Sequence, residues 1–168
     1  MKKDVLKLIK ERRSVRKFKK KKITMGSVRK ILEAGRWAPS GLNNQPWKFM
    51  VLQKELKDRL SRYTHYSQVI TSADKVILVF LDKKNIYNYE KDLLSIGACI
   101  QNMLIFLHSI NYGACWLGEI LNQRDKINKM LGIKRHLQLE AVIALGEPVA
   151  YKRKGERESL KKLILNPP

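Results

Sequence analysis

The stretch APSGLNNQPWKF, Ala38 to Phe49, sets two prolines, a glycine, two asparagines and a glutamine directly before WKFMVLQ, a run that reads as a β-strand. Proline fixes φ, glycine permits positive φ and asparagine bonds its own backbone, so a turn is written here. A simple turn does not need Asn43, Asn44 and Gln45 in succession beside a tryptophan. What the rest of the chain brings to this junction has to account for the surplus of hydrogen-bonding side chains.

Upstream, Thr24 is placed to cap a helix in which Val28, Ile31, Leu32 and Trp37 recur at helical spacing up to Pro39. Before it, Val5, Leu6, Leu8 and Ile9 behind Asp4 predict a short amphipathic helix that ends near Arg12, followed by the polar, basic segment RRSVRKFKKKK. Downstream, the strand runs from Trp47 to about Gln53, and a charged helix from Lys54 to about Tyr63. KVILVFLD, Lys75 to Asp82, is a second strand, apolar on both faces and therefore central. Asp92 to Ile110 is apolar nearly all round, which predicts a helix buried against the core on one side and a partner subunit on the other, with Asp92, Gln101 and Asn102 serving polar groups at that seam. GACWLG, Gly113 to Gly118, is a third strand. A helix capped by Asn122 and stopped at Gly132 leads to a fourth, LQLEAVIALGEP. From Val149 to Pro168 the chain turns basic and offers only LKKLIL as an apolar patch, as an arm that docks elsewhere would. Helices and strands mixed with short connections define an α+β domain spanning 1–168.

With 168 residues and 44% hydrophobic content, the chain fits one domain with a real core. Thirty-five Lys and Arg against fifteen Asp and Glu give a net charge of +20, which raises nucleic acid, anionic lipid and phosphate-bearing small molecules as partners. The charge is spread along the chain and accompanies no recognition helix, aromatic RNA-binding strand or zinc ligands. Specific nucleic-acid binding is thus the reading of a different class, and is not expected. Cys99 and Cys115 lie in apolar surroundings without CxxC spacing, and His65, His108 and His136 are scattered, so neither a disulfide framework nor a metal site is expected. MKKDVLKLIKERR has no uninterrupted apolar core and is read as neither a signal peptide nor a membrane span, which leaves the cytoplasm as the expected location.

Chemistry concentrates in RRSVRKF. Arg12, Arg13, Ser14 and Arg16 fall within five residues at a helix end. Guanidinium groups fork onto phosphate oxygens and a serine hydroxyl adds a donor, so the cluster suits a phosphate monoester. Far down the chain, Arg153, Lys154 and Arg157 add further charge from the arm.

The order RRSVRKF, APSGLNNQPWKF, GACWLGE, then LGEP followed by RKGERESL, resembles the nitroreductase family of FMN-dependent oxidoreductases, over Arg12 to Leu160. The resemblance implies a mixed, largely antiparallel sheet flanked by helices. It further implies a homodimer with FMN in clefts made by both subunits, and C-terminal arms, here residues 149–168, that wrap the partner. By that resemblance Arg12, Ser14 and Arg157 hold the FMN phosphate, and Arg13 contributes through its backbone. Arg16 faces the N1 and C2 carbonyl edge, where negative charge collects on reduction. Asn43 presents donor and acceptor to the pyrimidine edge, and Pro39 and Ser40 shape backbone against the ring. Asn44 is read as a turn residue, and Gln45 as either a flavin or ribityl contact or a brace of the loop. Trp47, Cys115 and Trp116 are read as core. Gly118 and Glu119 correspond to the backbone that approaches flavin N5, with Glu119 also open to a role as the first acid of the next helix. Tyr87 and Tyr89 are either an aromatic lid or exposed loop residues. The implied activity is ping-pong transfer from NADH or NADPH through FMN to a nitroaromatic, quinone or related small acceptor. Within the same fold the alternative is a specialised reaction such as dehalogenation or flavin cleavage.

Overall fold

The computed structural model describes residues 4–149 and 154–165. Arg153, read above as part of the basic arm, lies outside them. The chain opens with α1 (Val5–Glu11), where the Asp4 side chain accepts from the Leu6 amide, and α2 (Met25–Arg36), where Thr24 Oγ1 accepts from the Ser27 amide. Then come β1 (Trp47–Leu52), α3 (Lys54–Leu60), α4 (Ser67–Ser72) and β2 (Lys75–Asp82). The long α5 (Tyr89–Ser109) leads to β3 (Gly113–Leu117), α6 (Arg124–Leu131), β4 (Leu137–Gly146) and a last single turn, α7 (Leu160–Leu163).

The four strands form one antiparallel sheet in the order β1-β2-β4-β3. All eight residues of β2 are buried, as its apolar run requires of an interior strand. Ile77, Val79 and Leu81 face α2 and α5, while Val76, Leu78 and Phe80 face the side covered by α3, α4 and α6. Across from β2, the register slips between Val79 and Phe80, where Glu140 is the extra residue of β4. The sequence Leu139, Val142, Ala144 on one face and Ala141, Ile143, Leu145 on the other follows from that bulge.

The basic segment after α1 docks on the sheet. The Val15 amide donates to the Ala114 carbonyl at 2.8 Å and the Lys19 amide to the Glu147 carbonyl at 2.9 Å. Val15 and Phe18 are its buried anchors. They lie over Gly113 and Gly146, where an added Cβ would come within 2.7 Å of Val15 and 2.9 Å of Phe18, so two glycines make the room in which this segment sits.

Four expectations need correction. Asp92 is fully buried and bonded within its own chain, not set at an intersubunit seam. Trp116 is 44% exposed, because β3 is an edge strand and its outer end is not covered. Asn122 does not cap α6: Glu119–Gln123 forms a 3₁₀ turn that runs directly into the helix. Asn44 is more than a turn residue, since its side chain bonds Asn85 and Asp92. Gly132 does stop α6, in the left-handed conformation at φ 63°.

Candidate functional site: a basic cavity on the β3 edge

Residues 154–157 of the arm return over the docked segment and enclose, with it, a cavity of about 330 Å³ lined by Arg12, Arg13, Ser14, Arg16, Lys154, Gly155, Glu156 and Arg157. Five cations thus share one cavity with one carboxylate. Burial, and then the positive charges of Arg157 and Arg13, lower the pKa of Arg12 below the ordinary arginine value. Like charges held together in this way favour an anion that neutralises several at once. The Arg13 guanidinium instead turns back to the main chain, donating from Nη1 to the carbonyls of Lys10 at 2.5 Å and Arg12 at 2.8 Å, and it packs against Gly155. The backbone reading of Arg13 fits that orientation.

Ser14 forms a parallel bridge with Ala114, so the segment from Arg12 to Arg16 runs along β3 in its own direction. Arg16 lies close enough to Cys115 to offset part of the rise that burial causes in the thiol pKa. At the end of the same strand stands Gly118, where an added Cβ would meet no protein atom within 4 Å. From Ala114 to Gly118 the backbone advances about 13 Å at a strand rise of about 3.3 Å. An elongated ligand with a phosphate at one end and a flat ring at the other finds charge at the first place and open space at the second. FMN has that form, and these residues fit it.

Glu119 lies beside that space in a second cleft, of about 320 Å³, with Arg62, Tyr63, Thr64, His65, Gln123 and Lys126. Its Oε2 accepts from Thr64 Oγ1 at 2.6 Å, and Oε1 is 3.8 Å from His65 Nε2. Thr64 escaped the sequence reading, because a lone threonine in a short polar stretch carries no signal of what it faces. Glu119 also opens the 3₁₀ turn that precedes α6, in keeping with its reading as the first acid of the next helix.

Pro39, Ser40, Asn43 and Gln45 are elsewhere. Their loop precedes β1, on the opposite edge of the sheet from β3. Three strand spacings separate those edges, about 14 Å. Pro39, Ser40 and Gly41 border a shallow recess against Lys91, Leu94, Ser95 and Ala98 of α5. Ser40 Oγ accepts from the Gln45 amide at 3.0 Å, and Gln45 Nε2 donates to the Asn43 carbonyl at 3.2 Å, so Gln45 braces the loop. The Tyr87 ring lies against Gly41, whose added Cβ would be 2.5 Å from it, and Tyr89 Oη accepts from Gln138 Nε2. Within one chain, then, Arg12, Arg13, Ser14, Arg16 and Arg157 share a cavity, Gly118 and Glu119 stand past the far end of β3 with Glu119 in a separate cleft, and the Pro39 to Gln45 loop belongs to the other edge.

The model of the nitroreductase family matches residues 9–75 and 62–147. An Archaeoglobus fulgidus protein assigned as an NADH dehydrogenase/NAD(P)H nitroreductase is 30% identical over 86% of this chain and 86% of its own. The iodotyrosine deiodinase of Thermotoga neapolitana is 26% identical over 91% of this chain and 93% of its own. Among solved structures, a Desulfovibrio desulfuricans protein assigned as a nitroreductase and crystallised in complex with FMN superposes with a TM-score of 0.94 and 42% identity, over 100% of this chain and 99% of that one. The chain belongs to the nitroreductase family and is an oxidoreductase of that class.

Proposed function

We propose that the protein is an FMN-dependent NAD(P)H oxidoreductase that works as a homodimer, with residues 1–168 acting as a single FMN-binding domain and a nitroaromatic, quinone or related small molecule as acceptor, in a ping-pong cycle in the cytoplasm. The observation that carries this reading is the cavity where Arg12, Ser14, Arg16 and Arg157 converge beside the open space at Gly118. The FMN complex of the Desulfovibrio desulfuricans relative supports the choice of cofactor. When bound, FMN supplies the hydride-accepting and hydride-donating atom. The chain's own residues then have three tasks. Arg12, Ser14 and Arg157 hold the phosphate with charge-assisted hydrogen bonds. Arg16, displaced along β3 toward Cys115, sets a cation where negative charge develops on the ring system. Gly118 admits the ring by presenting no side chain, and Glu119, held by Thr64, fixes the backbone beside it.

The dimer follows from the two edges of the sheet. Asn43 has an exposed side chain with no hydrogen-bond partner among the described residues, and its loop precedes β1, three strand spacings (about 14 Å) from β3. A second copy supplies the missing side of each site. Exposed Trp37, Leu42 and Leu94 around that loop, and Leu160, Leu163 and Ile164 on the arm, provide apolar surface for the contact. Purified protein is expected to be yellow, with about one noncovalent FMN per subunit by absorbance after denaturation. Folded apoprotein that takes up no FMN at micromolar concentration would end this reading. The deiodinase relative favours one second reading, a specialised reductive reaction such as dehalogenation at the same site, which turnover with halogenated aromatics and NAD(P)H would separate from ordinary reduction.

A further inference from the structure

Asp92, in the first turn of α5, is a carboxylate with 0% exposure and no ion pair among the described residues. A buried carboxylate without a counter-charge is costly unless hydrogen bonds replace its water. Asp92 has three: Oδ1 accepts from Asn44 Nδ2 at 3.0 Å, and Oδ2 accepts from the backbone amides of Tyr87 at 2.8 Å and Asn88 at 3.3 Å. Its bond to the Asn88 amide completes the cap of α5, whose Asn88 side chain accepts from the Lys91 amide at 3.1 Å. Its bonds also tie the Pro39 to Gln45 loop to the 85–88 segment. Asn44 strengthens the tie, donating from Nδ2 to the Asn85 carbonyl at 2.9 Å and accepting from Asn85 Nδ2 at its own carbonyl.

What the tie holds is a strained piece of backbone. Leu42, Asn43 and Gln45 stand at φ 51°, 55° and 48°, in a region that side chains other than glycine rarely occupy. Such a run persists only where its surroundings over-determine it. On one side the Tyr87 ring presses on Gly41, and on the other the Asp92 network grips Asn44. Between these fixed points Asn43 projects outward.

We propose that Asp92 is a positioning residue for the oxidoreductase reaction: acting through Asn44 and the amides of Tyr87 and Asn88, it locks the left-handed run that presents Asn43 to the pyrimidine edge of the partner subunit's flavin. The proposal rests on the assignment of this loop to the flavin edge made above. It predicts that a change 0% exposed to solvent alters how the ring is held and leaves the phosphate grip alone.

Two variants test it. Asp92→Asn keeps size but turns an amide donor toward a donor, either Asn44 Nδ2 or the Tyr87 and Asn88 amides, and Asn44→Ala removes the side-chain tie while both backbone bonds of Asp92 remain. Fluorescence titration of apoprotein with FMN, competition with ribitol 5-phosphate, and potentiometry of the bound flavin are the readouts. Both variants are expected to raise the FMN Kd about tenfold, to lower the two-electron potential, and to leave the ribitol 5-phosphate Kd within twofold of the parent. If Asp92→Asn does not fold, Asn44→Ala decides alone. A parent-like FMN Kd and potential overturn the proposal. So does equal weakening of FMN and ribitol 5-phosphate, which marks Asp92 as a support of the whole fold. Parent protein that binds no FMN overturns the flavin reading itself, and the proposal with it.

Discussion

Replacing Arg12 with alanine separates a phosphate site from a merely basic surface. The guanidinium is partly buried, and burial, then the charges of Arg157 and Arg13, lower its pKa; no carboxylate is ion-paired with it among the described residues. A charge-assisted hydrogen bond to phosphate contributes about 1.5–3 kcal/mol, so its loss is expected to raise the FMN Kd about 10- to 150-fold. The same change relieves repulsion in the unliganded protein, and the thermal midpoint of the apoprotein is expected to stay level or rise. The two signs together are diagnostic, because an arginine with an ordinary structural role would lower both affinity and apoprotein stability. Quenching of FMN fluorescence on titration gives Kd, and differential scanning calorimetry of the same apoprotein gives the midpoint. Raising the salt concentration is expected to shrink the difference between parent and variant only partly, since the cavity is half enclosed. A Kd within threefold of the parent, with an unchanged midpoint, would refute the assignment of Arg12 to the phosphate.

Arg16→Ala is expected to spare FMN affinity more than Arg12→Ala does, but to lower the two-electron potential of the bound flavin by about 20 mV, the equivalent of about 1 kcal/mol for an exposed charge, as read by potentiometric titration at saturating FMN. Gly146→Ala sets a Cβ within 2.9 Å of Phe18, and overpacking of this kind costs about 1–3 kcal/mol in denaturant unfolding. That variant is also expected to weaken FMN binding, because displacing Phe18 moves the segment that carries Ser14 and Arg16. Burial raises the Cys99 thiol pKa to about 12 and also raises that of Cys115, so neither is expected to react with a disulfide reagent at pH 8 until the protein unfolds, as thiol titration with and without denaturant reports.

Much of this architecture was legible because its signals are local. The all-apolar run of β2 demanded an interior strand, Thr24 and Asp4 announced their helices, and Gly132 announced an end. The charge spacing of RRSVRKF was equally legible as a cluster, and Arg12, Arg13, Ser14 and Arg16 do line one cavity. Its docking was not, since lysines and arginines around Val15 and Phe18 mask a strand-like pairing that depends on glycines about a hundred residues away. Helix α4 was missed because SQVITS is short, rich in β-branched residues and without a side-chain cap at Tyr66. Lys57 supports its end instead, donating to the Ile70 and Thr71 carbonyls at 3.2 and 2.6 Å, a contact that no local pattern reveals. Asp92 was read as polar seam material because its position on an apolar helix was visible and its three donors were not.

Strain and charge are divided between the two edges of the sheet. At the β3 edge, Arg12 is repelled by Arg157 and Arg13, while the buried Val15 and Phe18 anchor the segment over Gly113 and Gly146. At the β1 edge the expense is conformational, in the positive φ of Leu42, Asn43 and Gln45, and the buried Asp92 network offsets it. Within the chain both are offset by packing and hydrogen bonds, and neither is removed. An anionic cofactor relieves the first, and its ring edge gives the second something to hold. In the homodimer proposed above, one ligand meets the β3 edge of one copy and the Pro39 to Gln45 loop of the other, so cofactor binding and dimer formation are expected to be coupled. Flavin affinity should therefore rise with protein concentration across the dimer dissociation range.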